Sequence, residues 1–167
     1  MAQLSPLLKQ ATPVQAARGE GVYIYDTEDR RHLDFTAGIG VTSTGHCHPK
    51  VVKAAQEQVG TLIHGQYTTI MHQPLLRLVE KMGEILPEGI DSLFFVNSGS
   101  EAVEASVRLA RQATGRPLIM AFDGGFHGRT MGAGALTTSG AKIRAGIGPM
   151  MGGCLLYTSD AADERSS

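Results

Sequence analysis

The chain has 167 residues, of which 42% are hydrophobic and 19% are charged, and this composition excludes a wholly disordered protein. Its 15 basic and 16 acidic side chains give a formal net charge of -1, which excludes the basic surface that nucleic acids and anionic membranes require. Its two cysteines are too few for a disulfide framework and favour the reducing cytosol.

The N-terminal third predicts a β-hairpin, a loop and a helix, in that order. Two β-prone runs, residues 22–25 and 31–35, flank the polar turn 26–29. Small residues then form a loop over 36–45. A helix is predicted to begin at His48-Pro49, because proline is favoured in the first turn of a helix.

The middle of the chain predicts a second helix and then a parallel α/β unit. Apolar residues recur at helical spacing over 74–87. The short apolar runs 92–96 and 118–122 predict buried strands, and a helix is predicted between Ser98 and Gly115. A strand, a helix and a strand in this order imply a parallel sheet, whose ligands bind at the carboxyl ends of the strands.

The turn at residues 97–101 is the first candidate binding site. Ser98 and Glu101 match the capping-box pattern of a helix start. A helix N-terminus carries unpaired N–H groups and a partial positive charge, which together bind phosphate. Gly99 allows close approach of the main chain, and Ser100 adds a hydroxyl. The alternative interpretation is an ordinary capped helix, since this pattern is common.

The glycine-rich loop over 124–129 is the second candidate. It carries Phe126, His127 and Arg129 at the end of a predicted strand. A planar cofactor could stack on Phe126, and Arg129 could bind a carboxylate through two parallel hydrogen bonds. The alternative is a structural turn whose phenylalanine lies in the core and whose arginine is solvated.

The motif His46-Cys47-His48 is interpreted as a structural turn and not as a metal site. No carboxylate or second cysteine stands at ligand spacing, so we expect no metal. The glycine patterns of P-loop and dinucleotide-binding proteins are absent from the sequence.

Taken in order, four segments resemble the class III aminotransferases, and among them most closely the 4-aminobutyrate aminotransferases. The resemblance extends from about Gly21 to Gly153. It implies the α/β architecture of the fold type I enzymes that depend on pyridoxal phosphate, with the N-terminal part of the small domain and the start of the large-domain sheet. The segments that carry it are residues 33–41, 45–49, 94–102 and 124–130.

The resemblance also implies ligands and roles. The cofactor would be pyridoxal phosphate, the donor an ω-amino acid such as 4-aminobutyrate, and the acceptor a 2-oxo acid such as 2-oxoglutarate. Arg129 would bind a substrate carboxylate, and Ile39 would border the substrate pocket. Phe126 would stack on the pyridine ring. The residues implied to bind the cofactor are Ser98, Gly99, Ser100, Phe126 and His127.

The resemblance predicts three parts of the chain. Residues 1–60 would belong to the small domain and residues 61–153 to the large, cofactor-binding domain. Residues 154–167 resemble translated adapter sequence and are interpreted as a non-native tail, the alternative being a divergent native C-terminus. No lysine of the chain matches the family's Schiff-base lysine, so we expect no catalytic residue and an inactive fragment of a cytoplasmic homodimer.

Two other functions remain open. The same motifs serve acetylornithine, ornithine and diamine aminotransferases, whose substrates differ through other pocket residues. From another class, the chain could be a phosphate-binding module without catalysis.

Overall fold

A computed structural model of the chain describes residues 4–5 and 10–158. The chain divides into two compact units, Met1–Lys81 and Met82–Ser167. In the described residues each unit contains one small β-sheet. None of the helices described is both long and apolar enough to cross a membrane.

The sheet of the first unit has three antiparallel strands. They are β1 (Ala16–Glu20), β2 (Tyr23–Asp26) and β3 (Arg31–Leu33), in the order β1-β2-β3. Ile24 pairs with His32 across β2 and β3, which confirms the predicted hairpin. The sequence does not predict β1, because its residues lack an alternation of apolar and polar side chains.

Asp26 fixes the turn between β2 and β3. Its Oδ1 accepts the N–H groups of Glu28 and Arg30, both at 2.9 Å. Its Oδ2 lies 3.0 Å from Nε2 of His32 and 2.8 Å from Nε of Arg30. These contacts, that of His32 first, lower the pKa of Asp26 well below its usual range, although burial acts in the opposite direction. The ionised carboxylate therefore holds the hairpin turn.

Between β3 and residue 83 the described chain forms three helical segments. The helix predicted over 74–87 ends earlier than expected, at Gly83, because glycine is a weak helix former. One further turn remains, in which the N–H of Leu86 donates to the carbonyl of Met82 at 3.0 Å. The helix predicted at His48-Pro49 is confirmed. The segments are α1 (Ala37–Gly40), α2 (Pro49–Thr61) and α3 (Gln73–Gly83).

In its described residues, the second unit contains a parallel sheet of two strands and three helices. Ile119 lies opposite Cys154, and Phe122 lies opposite Tyr157. The rings of Phe122 and Tyr157 meet edge to face, with their centroids 5.6 Å apart. The elements are α4 (Gly99–Thr114), β4 (Ile119–Phe122), α5 (Met131–Leu136), α6 (Ala141–Arg144) and β5 (Cys154–Tyr157).

The predicted strand–helix–strand unit is only partly present. α4 confirms the helix predicted between Ser98 and Gly115, and β4 confirms the strand predicted over 118–122. The strand predicted over 92–96 is wrong, since no strand lies there and Phe94 is 73% exposed. A strand needs a hydrogen-bonded neighbour, and the two described strands of this unit pair with each other. The sheet is parallel as predicted, but the partner of β4 is β5.

The core of the second unit is formed by side chains of α4, β4 and α5. Val107, Ala121 and Leu136 form the buried cluster. The sequence does not predict α5, because its Gly-Ala-Gly-Ala-Leu run has no apolar stripe. Its small side chains allow close packing on the neighbouring elements. Half-buried residues that pack against the cluster are Val103, Ile119, Met151 and Cys154.

β5 lies in the segment that the sequence predicts to be a non-native tail. Cys154–Tyr157 pairs with β4 over its whole length. Residues 159–167 of the predicted tail lie outside the described residues. The non-native origin of the tail and the predicted domain boundary between residues 60 and 61 stay predictions.

Candidate functional site

Two polar side chains fix the start of α4. The Oγ of Ser98 accepts the N–H of Glu101 at 3.2 Å, as predicted for a helix cap. The carboxylate of Glu101 accepts the N–H of Asn97 at 2.6 Å, one residue earlier than in the usual capping box. The side chains of Ser98 and Glu101 therefore fix the first turn of α4.

That first turn keeps hydrogen-bond donors for a ligand. In the part of the chain that the structure describes, the N–H groups of Gly99 and Ser100 have no acceptor. A Cβ added at Gly99 would meet no atom within 4 Å, so the space beside this turn is open. Unpaired N–H groups at the positive end of a helix favour an anion such as phosphate.

The loop between β4 and α5 meets the first turn of α4. The Oγ of Ser100 accepts the N–H of Arg129 at 3.3 Å, which leaves the hydroxyl proton of Ser100 for another acceptor. Gly128 has a φ of 135°, and a Cβ there would lie 3.0 Å from the Cβ of Ser100 and 2.9 Å from that of Ala133. Position 128 therefore requires glycine for its conformation and for its space. The two turns that the sequence singles out are adjacent in the structure.

A buried hydroxyl holds this loop from the inside. Thr137, which directly follows α5, has 0% of its surface exposed. Its Oγ1 accepts the N–H of His127 at 2.9 Å and that of Gly128 at 3.1 Å. It lies 2.9 Å from the carbonyl oxygen of Gly128 and 3.1 Å from that of Ala133, either of which can accept its proton. The sequence does not predict this role, because no local motif marks such a threonine.

The two residues after Thr137 hold the same loop through their main chain. The N–H groups of Thr138 and Ser139 donate to the carbonyl of Gly125 at 2.8 and 3.1 Å. We name residues 137–139 the loop clasp. The clasp binds the loop on both sides of Phe126.

Glu104 on α4 fixes the far end of the loop. Its Oε1 accepts the hydroxyl of Thr130 at 2.5 Å and the N–H groups of Gly132 and Ala133 at 3.0 and 2.9 Å. These bonds, that of the Thr130 hydroxyl first, lower the pKa of Glu104, against partial burial, which raises it. A Cβ at position 132 would collide with this carboxylate. The sequence gives no signal for Glu104, which is one of several charged residues on α4.

The side chains predicted to touch a ligand on this loop differ in exposure. Phe126 is 59% exposed and so is not a core residue, and Arg129 is also exposed. His127 is half-buried, and its Nε2 is buried without a hydrogen-bond partner in the described residues. A Cβ at Gly125 would lie 2.8 Å from that nitrogen, so the missing side chain makes room for the imidazole.

Ile39, the predicted border of a substrate pocket, lies in the first unit. The four residues of α1 all have positive φ angles, with 61° at Ile39, so this turn is left-handed. The Ile39 side chain is 95% exposed. Its place in a substrate pocket stays a prediction.

Asp34 anchors this left-handed turn. Its Oδ1 accepts the N–H groups of Thr36 and Ala37 at 2.9 and 3.1 Å and the hydroxyl of Thr36 at 2.7 Å. Its Oδ2 lies 2.8 Å from Nε2 of His46. The Thr36 hydroxyl first, and His46 second, lower the pKa of Asp34 to about 2.

The motif His46-Cys47-His48 forms a turn against β1. The main-chain N–H and carbonyl of His46 bond to Gly21 at 2.7 and 3.0 Å. A Cβ at Gly19 would lie 2.8 Å from both Cβ and Cγ of His46, so the imidazole packs directly on the strand. His46 thus serves the fold through Asp34 and β1.

Comparison with known proteins identifies the family. The family described as "Aminotransferase class-III" matches residues 7–166. The chain belongs to the class III aminotransferases. It is 43% identical over 145 residues to the 5-aminovalerate aminotransferase DavT of Pseudomonas aeruginosa, a match over 86% of this chain and 34% of that protein. With the acetylornithine aminotransferase of Archaeoglobus fulgidus it shares 50% identity over 137 residues, covering 80% of this chain and 35% of that protein.

The solved structures agree on the fold. The omega transaminase from Pseudomonas jessenii, solved in complex with PMP, matches with a TM-score of 0.82 and 28% identity over 94% of this class III chain and 37% of that chain. The architecture is therefore part of the fold type I of enzymes that depend on pyridoxal phosphate, as the resemblance implies. The chain spans about a third of the length of the curated relatives that it matches.

Pyridoxal phosphate is the cofactor of this family, and the described residues fit it. The first turn of α4 offers two unpaired N–H groups beside open space, together with the free proton of Ser100. This donor set suits a phosphate group. The adjacent loop presents the accessible ring of Phe126, which suits an aromatic ligand.

Proposed function

We propose that this chain forms the phosphate-binding part of an aminotransferase that moves an amino group from an ω-amino acid, such as 4-aminobutyrate, to a 2-oxo acid, such as 2-oxoglutarate. The observation that carries the proposal is the contact between the open first turn of α4 and the loop of Phe126 and Arg129. The donor class is supported by the DavT relative, which is named for 5-aminovalerate, also an ω-amino acid.

The cofactor-binding roles follow from the donors and surfaces of this contact. The N–H groups of Gly99 and Ser100 and the hydroxyl of Ser100 bind the phosphate, and Ser98 holds that turn in place. Phe126 lies against the pyridine ring, with His127 beside it. When bound, pyridoxal phosphate supplies an electron sink for the bonds that change at the substrate carbon.

Arg129 is proposed to bind a substrate carboxylate. Its main chain is fixed by Ser100, whereas its side chain is exposed and forms no ion pair within the described residues. A guanidinium held in this way can pair with a carboxylate through two parallel hydrogen bonds. Ile39, in the first unit, is proposed separately to border a substrate pocket.

A second candidate substrate is acetylornithine. It is favoured by the 50% identity to the acetylornithine aminotransferase of Archaeoglobus fulgidus. A cytoplasmic homodimer is the setting that we propose for either activity. The covalent chemistry is assigned to no residue of this chain.

The proposal is tested on the longest reading frame that contains this chain, prepared without cofactor and titrated with pyridoxal phosphate. Ser100→Ala should weaken binding about tenfold, because a lost hydrogen bond to a charged group costs roughly 1.5 kcal/mol. Ser106→Ala is the control on the same helix, since within the described residues the Ser106 hydroxyl bonds only to the carbonyl of Ala102. Absorbance of the bound cofactor measures the dissociation constant.

In the same protein, Arg129→Lys should raise KM for the carboxylate substrates about tenfold while kcat changes less, because the paired hydrogen bonds are lost. Comparing 4-aminobutyrate with acetylornithine as donor decides between the two substrates. A wild type that binds no pyridoxal phosphate would contradict the proposal. Binding without transamination of any amino donor would favour the phosphate-binding module instead.

A further inference from the structure

Thr137 uses every hydrogen bond that its hydroxyl can make. A hydroxyl has one proton to donate and two lone pairs that accept. The lone pairs receive the N–H groups of His127 and Gly128, and the proton has the carbonyl of Gly128 at 2.9 Å. The side chain is wholly buried, so water cannot replace it. Removing this hydroxyl leaves two main-chain donors of the loop without an acceptor.

These bonds hold the peptide units on both sides of Phe126. The N–H of His127 belongs to the peptide unit that follows Phe126, and it donates to Thr137. The carbonyl of Gly125 belongs to the peptide unit that precedes Phe126, and it accepts from Thr138 and Ser139. The loop clasp therefore fixes the main chain from which the Phe126 ring projects.

Packing does not hold the Phe126 ring itself. More than half of its surface is exposed, and it forms no aromatic pair in the described residues. The clasp therefore fixes the position and direction of the Cα–Cβ bond of Phe126, which limits where its ring can lie.

The clasp also decides which donors remain for a phosphate. The N–H groups of His127 and Gly128 are already bound to Thr137, whereas those of Gly99 and Ser100 are free in the described part of the chain. The phosphate donors lie on α4, and the aromatic surface lies on the loop. Two separately held elements thus serve the two ends of one ligand.

We propose that Thr137 is a positioning residue that sets the Phe126 ring for a flat pyridine ligand and takes no part in binding the ligand's phosphate. This inference rests on the proposed function. Thr137 acts through the main chain of His127 and Gly128 and touches no ligand itself.

The test compares two probes, pyridoxal phosphate and inorganic phosphate, on the longest reading frame that contains the chain. Thr137→Val should weaken pyridoxal phosphate about tenfold, because binding must then order the Phe126 loop, and leave inorganic phosphate within about twofold. It should also change the circular dichroism of the bound cofactor. Thr137→Ser keeps the hydroxyl and should restore both properties. Thr138→Val is the matched control, since it keeps the main-chain N–H that takes part in the clasp and removes a hydroxyl whose one partner among the described residues is the carbonyl of Phe122, at 3.5 Å.

The following four outcomes of these experiments would overturn the inference. Equal weakening of both probes would mean that Thr137 only supports the whole site. A Thr137→Ser protein that behaves like Thr137→Val would assign the effect to packing of the methyl group. If the wild type binds pyridoxal phosphate and Thr137→Val binds it equally well, only this inference fails. If the wild type binds neither probe, the proposed function fails with it.

Hydrogen exchange on the wild type keeps the inference testable should Thr137→Val fail to fold. The N–H groups of His127 and Gly128 should exchange slowly without ligand, and inorganic phosphate should not change them. The N–H groups of Gly99 and Ser100 should become protected only when phosphate is added. Fast exchange at His127 and Gly128, or protection of these two by phosphate, would overturn the role of Thr137.

Discussion

Two glycine-containing loops of this molecule are held in place by different chemistry. In the first unit, the turn of α1 is anchored by the ionised carboxylate of Asp34, which also contacts His46. In the second unit, the loop of residues 123–130 is anchored on its inner side by the neutral hydroxyl of Thr137. The anchor at Asp34 therefore depends on a protonation state and the anchor at Thr137 does not, although the carboxylate of Glu104 also holds the far end of the second loop.

The loops also differ in backbone strain. In α1 the positive φ angles include those of Ala37 and Ile39, which have side chains and adopt this conformation at a cost. In the loop of the second unit the positive φ angles fall on Gly124 and Gly128, which adopt it freely. The backbone of the exposed α1 turn is therefore strained. The loop of residues 123–130 is not, because glycines occupy its positions of positive φ.

The largest expected effect comes from filling the space at Gly128. Gly128→Ala should lower the free energy of unfolding by about 3 kcal/mol, because the new methyl group would overlap Ser100 and Ala133. Gly124→Ala is the matched control, with a φ of 76° and no atom within 4 Å of its Cβ. It should cost about 1 kcal/mol through backbone strain alone. Urea unfolding measures both, and equal losses would contradict the close approach of the loop to α4.

A smaller effect, of opposite sign, is expected in the first unit. Ile39→Asn should raise the free energy of unfolding by about 1 kcal/mol, because asparagine tolerates the left-handed conformation better than a β-branched residue. Little burial is lost, since Ile39 is exposed. Val41→Asn is the control, exposed like Ile39 but with a φ of -81°. Destabilisation by Ile39→Asn in the same urea assay would show that α1 is unstrained.

The elements that the sequence predicts well are those set by local interactions. The helix cap at Ser98, the proline at the start of α2 and the β2–β3 hairpin each depend on residues only a few positions apart. The strand over 92–96 fails as a prediction because a strand depends on a distant partner. α5 is missed because its small residues are buried through tertiary packing and not through a periodic pattern.

The same distinction between local and distant interactions applies to the candidate site. The sequence identifies the turn at Gly99 and Ser100 and the loop of Phe126, because a capping box and the glycines of a turn can be recognised from neighbouring residues alone. Thr137 and Glu104 hold that loop through bonds that join residues 9 to 29 positions apart. Nothing in their own neighbourhoods distinguishes them from ordinary threonine and glutamate residues.

The sharpest contrast between the loops is expected on acidification. The pKa of Asp34 is lowered to about 2, so its contribution to stability is complete above its ordinary pKa of about 4 and is lost as the pH falls through about 2. The difference in unfolding free energy between wild type and Asp34→Asn should shrink over this interval. The difference between wild type and Thr137→Ser should stay constant there. Urea midpoints at each pH measure both differences. If the effect of Asp34→Asn on the unfolding free energy did not depend on pH, the charge of Asp34 would not be what anchors the turn.

The contact between Glu104 and Gly132 has a consequence for how sequences of this kind diverge. The carboxylate of Glu104 occupies the space that a side chain at position 132 would need. The two positions therefore share one volume, although they are 28 positions apart in the chain. An enlarged residue 132 requires Glu104 to be shortened or to rotate away, and rotation gives up its bonds to Thr130, Gly132 and Ala133. Among diverging copies of this gene, a larger residue at position 132 should therefore be found mainly where position 104 has lost its glutamate.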